Sequence, residues 1–344
     1  MMSELRRAAA DQRWVVVAPE RDFRPSDFHP VEVESGGQAL QSCPFCPGNE
    51  HMTPREVYRV ASADGASWRV RVIPNKFPAL GSGEPPADAP VGQLFDRMDG
   101  VGAHEVVVES PAHDQDIPDF SIDQMVHVVN TYIQRMRSLV DDPLFRMVQL
   151  FRNHGRDAGA SLAHPHAQII ATPVIPQDVL RSLQIASSYR ERNGSCVLCD
   201  LLLAEQQSGE RMIDDLNGFA VWAPFDSRFP FEMVIVPEEH DHDFTSLRED
   251  QQRGLAATLI RTTQRLRSVL GNAPYNLLLK MAPPPMRRHD GEPCWSALAR
   301  DYHWRIELLP RLTGVAGFEW ATGMHINPVL PESAARRMRE AKIE

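Results

Sequence analysis

One order of signals is used twice along this chain, and that repetition limits the fold more than any single motif. CPFC (Cys43 to Cys46) precedes an alternating run WRVRVIPNKF, a strand HEVVVES, an amphipathic segment SIDQMVHVVNTYIQRMRSLVDD, a strand FRMVQLFRNHG and a strand HAQIIATP that follows a histidine. CVLC (Cys196 to Cys199) precedes GFAVWAP and FEMVIVP, a helical segment LREDQQRGLAATLIRTTQRLRSVLG, then NLLLKMAP and YHWRIELLP, again with a histidine at the last strand. The strands are short, apolar and β-rich, and Met125, Val128, Val129, Ile133 and Met136 recur near helical spacing behind Ser121 as N-cap. A repeated succession of this length reads as an internal duplication. We expect an α+β protein of two tandem units, residues 1–175 and 190–344, with the linker and a helix PQDVLRSLQIASSYRERNG lying between Pro173 and Ser195.

Length and charge agree with that plan. A chain of 344 residues exceeds what one core usually needs, and 42% hydrophobic residues can fill two. The formal net charge of -10 opposes a phosphate-backbone binding face, so no nucleic-acid partner is expected. MMSELRRAAADQRW has no apolar core of signal-peptide length, and no apolar run approaches the ~20 residues of a membrane span. Five cysteines, an odd number with two CxxC pairs, point to metal or redox chemistry in a reducing compartment, the cytoplasm by default.

Each CxxC offers two thiolates to one tetrahedral ion, and zinc commonly completes such a set with two histidines. In the first half the candidates are His113, after HEVVVES, and His164. In the second they are His240, after FEMVIVP, and His303. His240 is preferred to His242 because it stands where His113 stands relative to its strand. The matched order distinguishes the two sets from pairs of buried thiols. Two Zn2+ sites are expected: Cys43, Cys46, His113, His164 and Cys196, Cys199, His240, His303. Cys294 reads as a free thiol. His29, His51, His127, His154 and His289 read as polar surface or local hydrogen-bonding residues.

In HPHAQ, His166 shares a face with His164 but lies beyond the metal, so it needs another role. A neutral imidazole with one nitrogen held by a carbonyl presents the other as a nucleophile. Attack on a phosphoryl group would give a phosphoramidate and split one displacement into two. Gly159 and Ser161 lie in a small-residue turn whose N–H groups suit an anion. Gln168 projects on the same face, and Asn153 ends the neighbouring strand. The second half has Arg305 and Glu307 where His166 and Gln168 would stand, so it keeps the metal set without the nucleophile.

These motifs resemble the galactose-1-phosphate uridylyltransferase family of the histidine triad superfamily, over nearly the whole chain. HPHAQ is similar to the family's active-site HPHGQ. The resemblance implies two histidine-triad units with a largely antiparallel sheet forming a half-barrel flanked by helices, in a homodimer. It implies His166 as the residue that carries a nucleotidyl group, with Gln168 and Ser161 beside it. It adds Arg21 and Arg24 in RDFRP as phosphate contacts, Asn75 as a nucleotide contact beside Asn153 and Gly159, and Glu319 in AGFEWATG as a sugar contact. The substrates implied are a nucleotide sugar with a sugar phosphate or inorganic phosphate. The second CxxC is a feature of relatives of the ADP-glucose phosphorylase type, so a phosphorylase acting on ADP-glucose or a dinucleotide is the alternative within the enzyme class. A zinc-stabilised nucleotide- or RNA-binding protein is the alternative outside it, and the acidic balance opposes it.

Overall fold

The computed structural model describes residues 3–23, 42–83, 89–90, 94–284 and 297–343. Arg24, His29, His289 and Cys294 lie outside the described residues. In chain order the first half gives β1 (Glu4–Arg6), β2 (Val15–Val17), β3 (Tyr58–Ala61), β4 (Trp68–Pro74), the two-residue pair β5 (Ala89–Pro90) and β6 (Asp96–Arg97), β7 (Ala103–Val108), helix α1 (Ile122–Val140), β8 (Met147–His154) and β9 (His166–Thr172). Helices α2 (Gln177–Asn193) and α3 (Val197–Ser208) lead into β10 (Met212–Leu216), β11 (Phe219–Trp222), β12 (Met233–Pro237), α4 (Glu249–Leu270) and β13 (Tyr275–Lys280). A short α5 (Leu298–Asp301), β14 (Arg305–Pro310), α6 (Gly317–Thr322), β15 (His325–Asn327) and α7 (Pro331–Arg339) follow.

Ten strands form one sheet in the order β10-β11-β12-β14-β13-β8-β9-β7-β4-β3. Every neighbouring pair is antiparallel. The halves meet at β13 and β8, where Asn276 faces Asn153 and Leu278 faces Phe151. β1, β2 and β15 make a separate sheet, with β15 parallel to β2.

Strand alternation decides which face is dry. On β9, Ala167, Ile169 and Ala171 join the main core with Val107, Val148, Leu150, Leu277 and Ile306. Helices α1 and α4 cover that face through Met125, Val129, Ile133 and Met136, and through Leu255, Leu259 and Leu266. Ser121 caps α1 as its sequence suggested, its Oγ accepting from Gln124 N–H at 3.1 Å. Residues of opposite parity, His166 and Gln168 on β9, stand on the other face. The face bearing His166 and Gln168 is covered by smaller clusters, one of them Cys43, Phe45, Cys46, Trp68, Ile73, Val106 and Val108. Helix α2 occupies the expected linker and packs Leu183 and Ala186 with Ala282 and Tyr302. Among the described residues no helix is long and apolar enough to cross a membrane.

Candidate active site

The four residues expected to hold the first metal converge from distant sequence. Cys43 and Cys46 come from a turn, His113 from the loop beyond the end of β7, and His164 from the residues just before β9. Cys46 Sγ lies 3.3 Å from His113 Nδ1 and 3.6 Å from His164 Nδ1. Cys43 Sγ lies 3.7 Å from His164 Nδ1, and the two Nδ1 atoms are 3.3 Å apart. A tetrahedral zinc with bonds of about 2.3 Å to sulfur and about 2.05 Å to nitrogen requires S···N edges of roughly 3.5 Å and N···N edges of roughly 3.3 Å. The donor set fits that geometry. His164 Nε2–H donates to the Ser110 carbonyl at 2.8 Å, which turns Nδ1 toward the sulfurs.

The second set repeats the arrangement. Cys196, Cys199, His240 and His303 bring one donor atom each within 4.8 Å of the others. Cys199 Sγ lies 3.2 Å from His240 Nδ1 and 3.5 Å from His303 Nδ1. His240 Nε2–H donates to the Ala299 carbonyl at 3.0 Å. Burial pushes the Cys46 thiol up to about 11, and burial lowers His164 to about 4. A neutral His164 is a ready ligand, whereas the Cys46 thiol needs a cation to lose its proton.

His166 lies immediately past this set and is 7% exposed. Its Nδ1–H donates to the His164 carbonyl at 2.8 Å, leaving Nε2 with its lone pair. Burial lowers its pKa, which favours that neutral form. The Phe45 ring stands edge-on at 5.4 Å between centroids and limits how the imidazole can turn. The carbonyl that orients His166 thus belongs to a metal-set residue.

The loop from β8 to β9 is shaped by two glycines in the positive-φ region. Gly155 has φ +78°, and Gly159 has φ +90° against the Asn153 amide. Gly159 N–H bonds the Arg156 carbonyl at 2.9 Å and Ala160 N–H bonds the Gly155 carbonyl at 3.1 Å. The Gly159 N–H, in the turn expected to face an anion, is thus spent inside the turn, as is that of Ala160. The Ser161 side chain is exposed. Asn153 Oδ1 accepts from Asn276 Nδ2 at 2.9 Å, and Asn276 also donates to the Ala158 carbonyl at 2.8 Å. Asn276, from the other half, was not singled out in the sequence. Only the β13–β8 register reveals it.

Gln168 and Asn75 meet a second residue the sequence reading passed over, His104 on β7. Gln168 Oε1 lies 2.8 Å from His104 Nε2, and Asn75 Nδ2 lies 3.0 Å from the same atom. Arg21 and Glu319 are elsewhere. They line a pocket of about 190 Å³ with Arg228, Phe229, Val315 and His325. Among the described residues no hydrogen bond or ion pair joins this pocket to the His166 group.

Beneath the site, Arg152 is 2% exposed and bonds Glu109 at 2.9 Å, Tyr275 at 3.0 Å and Asp116. His154 bonds Asp116 at 2.7 Å and Asn272 at 2.9 Å, the local hydrogen-bonding role expected of it. In the second half, Arg305 and Glu307 are buried. Arg305 bonds Glu307 at 3.0 Å and Asp11 at 2.9 Å, and Arg228 bonds Glu307 at 2.8 Å and Glu232 at 2.7 Å. The face that holds the imidazole in one half is filled by ion pairs in the other.

The profile described as Galactose-1-phosphate uridyl transferase, N-terminal domain, matches residues 1–176. An ADP-glucose phosphorylase of Arabidopsis thaliana is 33% identical over 99% of this chain and 93% of its own. A galactose-1-phosphate uridylyltransferase of Thermotoga maritima is 27% identical over the whole of both chains. The crystal structure of an ADP-glucose phosphorylase from Arabidopsis thaliana with bound ADP-glucose superposes with a TM-score of 0.83, at 32% identity over 100% of both chains.

Proposed function

The chain belongs to the galactose-1-phosphate uridylyltransferase family, and from that membership we propose that it moves a nucleotidyl group from a nucleotide sugar by way of a covalent bond to His166. The observation that carries the reading is the His166 imidazole, neutral, buried and held through Nδ1 on the His164 carbonyl. Its Nε2 lone pair attacks the α-phosphorus. The P–N bond forms as the bond to the leaving sugar 1-phosphate oxygen breaks, and that oxygen departs with the electron pair. A phosphate oxygen of the second substrate then attacks the same phosphorus and returns the electrons to Nε2. Gln168 and Ser161 stabilise charge on the non-bridging oxygens, and Asn153 and Gly159 shape the loop that approaches them.

Zinc, when bound by Cys43, Cys46, His113 and His164 and by Cys196, Cys199, His240 and His303, supplies fixed tetrahedral cross-links between chain segments. His164 belongs to the first set and its carbonyl holds His166, so the cross-link bears directly on where the nucleophile stands.

The same reading takes the two halves as tandem histidine-triad units, residues 1–175 and 190–344, in a half-barrel. Their strand orders, β8-β9-β7-β4-β3 and β13-β14-β12-β11-β10, run outward from the shared seam in matching sequence, which supports it. It takes the protein as a cytoplasmic homodimer, in which a second copy lays its Arg21 and Glu319 pocket over the His166 face. That the pocket lined by Arg21 and Glu319 includes none of the His166 group supports that arrangement. Arg24 belongs to the same expected phosphate contact.

UDP-glucose with a hexose 1-phosphate acceptor is the first substrate assignment. A second, ADP-glucose with inorganic phosphate, is favoured by the second Cys/His set and by the higher identity to the Arabidopsis phosphorylase. Intact-protein mass spectrometry after brief incubation with each nucleotide sugar separates them. A uridylyl adduct supports the first and an adenylyl adduct the second. Loss of the adduct in a folded, zinc-loaded His166→Ala variant is expected, and full activity in that variant would end the proposal.

A further inference from the structure

We infer that His104 is a positioning residue that fixes the amide of Gln168 and links it to the Asn75–Ala79 turn. The inference rests on the nucleotidyl-transfer reading and concerns a residue outside the motifs that suggested it. The hydrogen bonds around the ring determine its tautomer. The backbone N–H of Ala79 donates to His104 Nδ1 at 3.1 Å, so Nδ1 carries a lone pair. A neutral imidazole then carries its one hydrogen on Nε2. That hydrogen has an acceptor at 2.8 Å, Gln168 Oε1.

Two consequences follow from this assignment. With Oε1 committed to His104, both hydrogens of the Gln168 amide remain for other acceptors, which is the orientation needed to donate to phosphoryl oxygens. A flipped Gln168 would set its NH2 against the His104 N–H, two donors facing each other in a half-buried place. Asn75 Nδ2 also lies 3.0 Å from His104 Nε2, so the Asn75 amide stands against the same edge of the ring. Asn75 Oδ1 accepts from Phe77 N–H at 2.9 Å, which fixes the orientation of that amide. One imidazole therefore sets the Gln168 amide as a donor and contacts the Asn75 amide as well. It ties β9 to the turn after β4, which Asn75 N–H already pins to the His104 carbonyl at 2.7 Å. A nucleotide that orders this turn orders the phosphoryl donor through His104.

Two substitutions separate the contacts. His104→Asn keeps an acceptor where Nδ1 stands and loses the donor to Gln168. His104→Gln keeps a donor where Nε2 stands and loses the acceptor for Ala79. We expect His104→Asn to lower kcat by about tenfold or more while KM for the nucleotide sugar changes less than about threefold. His104→Gln should hold kcat within about threefold and raise KM. In a Gln168→Ala background, His104→Asn should cost less than about twofold further, because the residue it orients is gone. Thermal melting and zinc content report whether each variant is folded. Equal losses from His104→Asn with and without Gln168 would overturn the inference, and so would His104→Gln losing as much kcat as His104→Asn. The His166→Ala control reports on nucleotidyl transfer separately, so failure of either idea is recognised by itself.

Discussion

Replacing Arg152 by methionine tests how the floor of the site is held. Its guanidinium is 2% exposed and serves Glu109, Asp116 and the Tyr275 hydroxyl at once. Tyr132 donates its hydroxyl to Glu109, which is itself 0% exposed. Methionine fills much of the volume but leaves two carboxylates facing each other without a cation. Removing one partner of a buried pair costs about 3–5 kcal/mol, chiefly from the charge left behind. An unfolding entropy of about 2.1 cal/mol/K per residue over 344 residues gives about 0.7 kcal/mol/K, so the melting temperature should fall by about 4–7 °C.

The pH dependence identifies the cause. Burial alone would raise the Asp116 carboxyl, but the charge of Arg152 and the contact with His154 outweigh it and hold the group well below the usual carboxylate range. A depressed carboxylate contributes stability that is complete above its unfolded pKa of about 3.9 and is lost as pH falls below that value. Arg152→Met removes this contribution, so its deficit should be full at pH 7 and shrink below about pH 4. Scanning calorimetry of both proteins across that range is the assay. A variant within about 1 kcal/mol of the parent at pH 7, or a deficit that does not narrow in acid, would refute the reasoning.

Two further outcomes are expected. Cys46→Ser and Cys199→Ser should each lower zinc, measured by elemental analysis, from two ions per chain to one, but only Cys46→Ser should abolish the nucleotidyl adduct, because the His164 carbonyl holds His166. Gly155→Ala puts a Cβ 2.8 Å from Pro274 Cβ at φ +78°, so it should cost about 2–4 kcal/mol and raise KM, whereas Gly194→Ala, with φ +75° and nothing within 4 Å, should cost about 1 kcal/mol and leave KM unchanged.

Much of this molecule was legible in local sequence. The alternation of HAQIIAT placed His166 and Gln168 on one face, and the spacing of CPFC and CVLC with their histidines pointed to both Cys/His clusters. The same repeat logic put Arg305 and Glu307 at the second-half positions that correspond to His166 and Gln168. What escaped depends on strand register and long-range closure. His104 matters because β7 pairs with β9 so that its ring reaches Gln168, and Asn276 because β13 pairs with β8. Neither pairing has a local signature. Asp11 and Arg228 reach Arg305 and Glu307 from remote segments, so the ion cluster that fills the second half was not readable either. The glycine turn was found by composition, but which of its N–H groups stay available depends on hydrogen bonds closed within the turn itself.

The seam between β8 and β13 also has a consequence during synthesis. β8 is the last strand of the first half's order, and its partner is made only when the ribosome has passed residue 280. Until then MVQLFRNH presents an open row of backbone donors and acceptors, with Val148 and Leu150 on one face. A nascent chain released at about residue 176 would carry that edge uncovered and would tend to pair with another copy of itself. In the finished chain the second half covers Phe151 to His154 of that edge through β13.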